Sequence, residues 1–86
     1  MKNTAWTDND HERLIGCFLA VFPQLSKADV SKASNTSVSS WDSVALVTLL
    51  ATIEEEFGIQ FDPEQMEQLT SFDAILSYMQ EKRSGN

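Results

Sequence analysis

The sequence predicts an all-α fold, a small bundle of three main helices and one short helix. Apolar residues recur at spacings of three and four in three segments, which is the pattern of amphipathic helices. No segment alternates apolar and polar residues for long enough to indicate a strand. With 86 residues and 42% hydrophobic content, we expect a single domain over the whole chain, with an ordered core at about residues 7–81.

The first main helix is expected to begin at the capping residues around Thr7 and Asp8 and to end at Pro23. Its core-facing stripe consists of Leu14, Ile15, Phe18, Val21 and Phe22. Residues 24–42 follow as a polar, serine-rich loop, in which a helical turn is expected near residues 27–32. Trp41 is the expected apolar anchor at the end of this loop.

The second main helix is expected over Ser43–Phe57, with Gly58 as its C-terminal cap. Asp62 and Pro63 then supply a cap and a first-turn proline for the short helix. That short helix carries Met66 and Leu69.

The last main helix is expected to follow a cap at Thr70 or Ser71. Its apolar stripe consists of Phe72, Ile75, Leu76 and Met79. The polar residues 82–86 are expected to fray.

Two faces of the second main helix differ in character when its residues are placed about 100° apart. The core-facing stripe consists of Leu46, Leu49, Leu50, Ile53 and Phe57. The other face is apolar near Ser43 and acidic at its far end, and consists of Val44, Val47, Thr48, Ala51, Glu54 and Glu55. This face predicts a docking surface on which carboxylates meet basic partner side chains, unless the preceding loop covers the valines.

The chain is strongly acidic, with a formal net charge of −7 at pH 7. Residues 33–81 contain no Lys, Arg or His. Such a surface repels nucleic acids and anionic membranes and attracts basic protein partners. The alternative is that the charges only keep a small acidic domain solvated. Cys17 is the only cysteine, so no intramolecular disulfide can form, and the chain suits a reducing compartment. The sequence shows neither a signal peptide nor an apolar run long enough to span a membrane, so a cytoplasmic location is expected. We also expect a monomer.

Ser43 lies where the loop becomes the second main helix, so its hydroxyl is expected to be exposed beside unpaired N–H groups that favour an attached anion. The alternative is that Ser43 or Asp42 is only a helix cap. Ser39 and Ser40 lie earlier in the loop, with no expected array of donors.

No catalytic or metal site is expected. The only histidine, His11, is flanked by charged residues and is expected to be a solvated surface side chain. Cys17, six positions later, lies about 240° around the helix, which excludes a local Cys-His pair. We expect Cys17 to be a small buried apolar residue.

Two sequence blocks resemble acyl carrier proteins and the carrier domains of polyketide and nonribosomal peptide synthases. The first is Trp41-Asp42-Ser43-Val44-Ala45-Leu46-Val47, and the second is Ile53-Glu54-Glu55-Glu56-Phe57-Gly58-Ile59. In that family an Asp-Ser-Leu motif starts the second helix, and a Glu-Glu-x-Phe-Gly-Ile segment ends it at the same separation. The later segment at residues 69–75 resembles the entry to the last helix of the family.

The resemblance implies a carrier without catalytic activity of its own. A phosphopantetheinyl transferase would attach 4′-phosphopantetheine from coenzyme A to Ser43, with Asp42 assisting recognition. The arm would hold an acyl or aminoacyl group as a thioester and present it to loading ligases and downstream transferases or synthases. The implied docking residues are Val44, Val47, Ala51, Glu54 and Glu55. The alternative is an unmodified helical adaptor that binds basic partners through the same helix.

This sequence departs from the family pattern beside Ser43. Val44 replaces the usual leucine, and Ala45 and Thr48 stand where carriers of fatty-acid synthesis usually have carboxylates. These departures, with Trp41 before Asp-Ser, favour a discrete carrier of a specialised pathway.

Overall fold

The computed structural model describes residues 6–84 and confirms the all-α class. The helices in chain order are α1 (Asp8–Val21), α2 (Lys27–Val30), α3 (Ser43–Phe57), a 3-10 helix (Pro63–Gln68) and α4 (Phe72–Ser84). Over residues 6–84, β pairing is limited to an isolated antiparallel bridge between Ser34 and Ser71. In the same residues, no helix is long and apolar enough to cross a lipid bilayer.

The start of α1 is fixed by a capping box. The Asp10 N–H donates to the Thr7 hydroxyl at 3.1 Å, and the Thr7 N–H donates to the Asp10 carboxylate at 3.2 Å. These bonds, with Arg13 at 3.4 Å, explain how Asp10 lies buried with its charge compensated. The helix ends at Val21, ahead of Pro23, whose ring cannot continue it.

The bounds of α3 match the prediction at both ends. Asp42 is the N-cap, and Gly58 adopts the left-handed conformation with φ of 68°. Glycine suits this position because other residues have a steric cost there. The N–H of Gly58 donates to the Glu54 carbonyl at 2.8 Å, which completes the last turn.

The core contains an aromatic cluster that also holds the long loop. Phe18, Phe22 and Phe72 are fully buried. Trp41 is buried as predicted, stacks on Phe22 with 5.5 Å between ring centroids and meets Phe18 edge-on at 5.7 Å. Because Trp41 comes two residues before α3, this packing fixes where the loop delivers the chain to that helix.

Backbone hydrogen bonds hold the same loop against the start of α4. The Phe72 N–H donates to the Ala33 carbonyl, and the Asn35 N–H donates to the Thr70 carbonyl, both at 2.9 Å. The Ser71 hydroxyl accepts the Ala74 N–H at 3.1 Å. Of the two predicted caps for this helix, Ser71 is therefore the one that acts.

One local prediction is confirmed and another is wrong. The helical turn expected near residues 27–32 is the four-residue helix α2. Its capping box, formed by Ser26 and Asp29, stabilises it. Residues 82–84, which were expected to fray, are the last residues of α4. In this turn the Lys82 ammonium lies over the Tyr78 ring, 5.6 Å from its centroid. Residues 85 and 86 lie outside the described part of the chain.

Two residues of the predicted α3 core stripe are only half-buried. Leu46 lies beside an open groove next to Ser43. Phe57, at the other end of the helix, stacks on Trp6 at 5.8 Å and lies under the Arg13 guanidinium at 4.5 Å. Both helix ends are therefore partly open, whereas the central Leu49, Leu50 and Ile53 are buried as predicted.

Candidate functional site

Ser43 is the first residue of α3, and its side chain is exposed. Asp42 performs the capping, since its Oδ1 accepts the Ala45 N–H at 2.8 Å. Within residues 6–84, no hydrogen-bond partner contacts the Ser43 hydroxyl. Asp42 thus supplies the cap and Ser43 supplies the free hydroxyl. Helix capping therefore does not explain why position 43 is a serine.

The backbone around Ser43 offers donors to an anion. In an α-helix the first N–H groups have no intrahelical acceptor. The Ala45 and Leu46 N–H groups are bonded to Asp42, and no acceptor in the described part of the chain meets those of Ser43 and Val44. An anion here gains about 0.3–1 kcal/mol at an exposed helix start.

A groove of about 220 Å³ opens beside the Ser43 hydroxyl. Its lining residues are Asn35, Trp41, Asp42, Ser43, Leu46 and Thr70. Trp41 and Leu46 give it an apolar side, and Asn35 and Thr70 give it a polar side. The site therefore offers N–H donors to an anion at Ser43 and a groove of mixed polarity beside it.

Asn35 and Thr70 were not identified from the sequence as neighbours of Ser43. The loop-to-α4 hydrogen bond between them brings them there, and no local pattern encodes that pairing. The other candidate serines differ from Ser43. Ser40 accepts the Gln24 side-chain amide at 2.9 Å, and Ser39 is an exposed turn residue; neither lines the groove.

An apolar strip lies on α3 next to this site. Val44 is 72% exposed and Val47 is 55% exposed, and they are the exposed large apolar side chains of residues 6–84. Ala51 continues the strip one turn further and is exposed as well. The loop of residues 24–42 therefore leaves these valines uncovered.

The three glutamates at the end of α3 differ in their contacts. Glu54 is half-buried, and its Oε2 accepts the Phe61 N–H at 2.8 Å. Glu56 pairs with the Arg13 guanidinium at 2.8 Å, and this pairing raises the pKa of Arg13. Glu55 is exposed and has no partner among the described residues.

His11 and Cys17 do not reach the groove. His11 is half-buried with its ring edge-on to Phe72 at 5.7 Å, so the expectation of a solvated surface histidine is wrong. Cys17 is buried as predicted, and desolvation raises the pKa of its thiol to about 11. Among residues 6–84 no group of three or more His, Cys, Asp or Glu side chains could hold a metal ion.

Comparison with protein families gives one match. A family model described as a phosphopantetheine attachment site matches residues 29–79, more than half of the chain. The matched segment runs from α2 to α4 and includes Ser43 and every residue that lines the groove. No curated protein and no solved structure matches the chain.

Proposed function

The chain belongs to the phosphopantetheine-attachment family of acyl carrier proteins, and on this premise we propose that the Ser43 hydroxyl carries the 4′-phosphopantetheine group. The observation that supports this assignment is the exposed, unpartnered hydroxyl at the start of α3, beside free N–H groups and an open groove. In this proposal, the chain of 86 residues acts as one carrier domain.

The residues around Ser43 prepare the attachment. Asp42 caps α3 and so holds the helix start in a fixed position, while the neighbouring Ser43 oxygen remains accessible. In the transfer from coenzyme A, this oxygen forms the new bond to phosphorus, its proton passes to a base of the transferase, and adenosine bisphosphate leaves. The N–H groups of Ser43 and Val44 favour the phosphate charge that results.

When attached, the group supplies a terminal thiol that holds an acyl or aminoacyl unit as a thioester. The chain performs no reaction of its own in this proposal. The Cys17 thiol is buried and His11 packs on Phe72, so neither offers an activated nucleophile or base beside Ser43. Loading ligases and downstream transferases or synthases would carry out every covalent step.

The partners would dock on the exposed strip formed by Val44, Val47 and Ala51, with Glu55 at its end. The first half of α3 carries no charged side chain, which differs from carriers of general fatty-acid synthesis. This difference supports a carrier of a specialised biosynthetic pathway.

A second candidate is an unmodified adaptor that uses the same strip for protein binding. The exposure of Val44 and Val47 supports it equally, because that exposure does not depend on a modified Ser43.

Intact mass separates the two candidates. The protein is incubated with coenzyme A and a phosphopantetheinyl transferase of broad specificity, and a gain of one phosphopantetheinyl group is expected. The gain should disappear in Ser43→Ala and persist in the matched variants Ser39→Ala and Ser40→Ala. No gain with an active transferase would favour the adaptor, and a gain in Ser43→Ala would place the attachment elsewhere.

A further inference from the structure

We infer that Trp41 closes the interior of the bundle to the unit that Ser43 carries, so that this unit stays in water and is a short or polar acyl or aminoacyl group, not a long alkyl chain. The inference rests on the proposed function and deepens it by naming the class of cargo. It follows from the position of Trp41, which is both a wall of the groove and a part of the core.

Trp41 lies between the groove and the aromatic cluster beneath it. It lines the groove beside Ser43, and its ring stacks on Phe22 at 5.5 Å and meets Phe18 edge-on at 5.7 Å. The residue is 6% exposed. Because packed interiors leave few voids larger than a water molecule, a chain that entered the core from the groove would have to displace the indole.

The groove itself is too small for the arm and a long chain together. Its volume is about 220 Å³, whereas pockets that bury a drug-sized ligand have volumes of about 300–1,000 Å³. The phosphopantetheine arm alone is a group of that size, so the arm would occupy the groove before its thiol is reached. The thioester and the unit attached to it then lie outside.

The lining of the groove also disfavours an alkyl chain. Four of its six residues are polar, namely Asn35, Asp42, Ser43 and Thr70. A chain laid against these groups would remove polar atoms from water without offering them hydrogen bonds, which costs free energy. A unit that has its own polar groups does not impose this cost.

Carriage in water restricts the unit that the arm can hold. A long alkyl chain left at the surface forgoes the gain from burial, and this loss grows with each methylene group. It also adds an exposed apolar patch that favours association between loaded carriers. A short acyl unit or an aminoacyl unit has neither disadvantage.

The experiment compares the melting temperatures of carriers loaded with units of increasing length. A broad-specificity transferase attaches the arm from acetyl-, butyryl-, hexanoyl- or octanoyl-coenzyme A, and intact mass confirms each product. Every methylene that becomes buried should raise the melting temperature by about 3–6 °C. We expect the wild-type series to agree within about 2 °C, and a steady rise with chain length would overturn the inference.

Trp41→Ala tests the indole directly, because its removal opens an apolar cavity next to the groove, and such cavities bind apolar ligands. The octanoyl form of this variant should melt at least about 6 °C above its acetyl form, the shift for two buried methylenes. Trp41→Leu keeps more of the core and should shift in the same direction. Met79→Ala is the matched truncation, since Met79 is buried and does not line the groove; its two forms should melt together.

No gain from the octanoyl chain in either Trp41 variant would refute the role of the indole. A failure of the proposed function gives a different result. If none of the coenzyme A forms adds mass to the wild type, or if the mass gain persists in Ser43→Ala, attachment at Ser43 is refuted and the inference falls with it. If loading depends on Ser43 but melting rises with chain length in the wild type, the attachment stands and only the class of cargo is wrong.

Discussion

Asp42 allows a direct test of how the carrier site is built, because two substitutions separate its geometry from its charge. Its Oδ1 accepts the Ala45 N–H at 2.8 Å and caps α3. Asparagine caps a helix as well as aspartate does, whereas alanine cannot cap. Asp42→Asn therefore removes the charge alone, and Asp42→Ala removes both the charge and the cap.

The expected stabilities follow from the cap. Asp42→Ala should lower the free energy of unfolding by about 1 kcal/mol, within a range of about 0.5–2. For a domain of this size, that corresponds to a fall in melting temperature of about 4–8 °C. Asp42→Asn should melt within about 2 °C of the wild type. Thermal unfolding followed by far-ultraviolet circular dichroism measures both melting temperatures.

The loading rate then tests the expectation, implied by the family resemblance, that Asp42 also assists recognition by the transferase. If the carboxylate meets a cation or donor of that enzyme, Asp42→Asn should lower kcat/KM for loading about tenfold while its melting temperature is unchanged. Wild-type loading by Asp42→Asn would limit Asp42 to capping. An unchanged melting temperature in Asp42→Ala would refute the capping argument itself.

Three further predictions concern the scaffold. Trp41→Ala should cost about 3–5 kcal/mol in urea unfolding, much of the roughly 4–13 kcal/mol expected for a chain of this length, and Trp41→Phe should cost less because a ring still packs on Phe22. Gly58→Ala should lower the free energy of unfolding by about 1–2 kcal/mol in the same assay. Because nothing lies within 4 Å of the added Cβ, this cost would come from the left-handed backbone, and an unchanged stability would refute it. Burial raises the pKa of the Cys17 thiol from 9.0 to about 11, so the unfolded chain loses this proton first as pH rises. Relative to Cys17→Ala, stability should fall by roughly 2 kcal/mol between pH 9 and pH 11, and equal slopes for the two proteins would contradict the assignment.

The sequence was most informative where a local signal determines the structure. The bounds of α3 follow from Asp42 and Gly58, because a cap and a left-handed glycine act within a single turn. Helical periodicity placed Val44 and Val47 away from the core-facing stripe, and they are exposed because the loop of residues 24–42 does not cover them. The position of Ser43 could be predicted from the same two signals.

Features that depend on distant residues could not be predicted. The groove beside Ser43 requires Asn35 and Thr70 to meet across a loop, and no spacing in the sequence encodes that contact. The same limit applies to Glu54, because its bond to the Phe61 N–H depends on the path of the chain after Gly58. The sequence suggested an acidic docking face at the end of α3. In the folded chain, however, Glu54 accepts the Phe61 N–H and Glu56 pairs with Arg13.

The two tryptophans of the chain lie at opposite ends of α3. Trp6 stacks on Phe57 at the C-terminal end, and Trp41 lines the groove at the N-terminal end, beside Ser43. Indole emission responds to the polarity of its surroundings, and the Trp6→Phe variant would keep a single tryptophan, at the groove. The intrinsic fluorescence of Trp41 would then report, without an added dye, whether water or an attached group occupies the space next to Ser43.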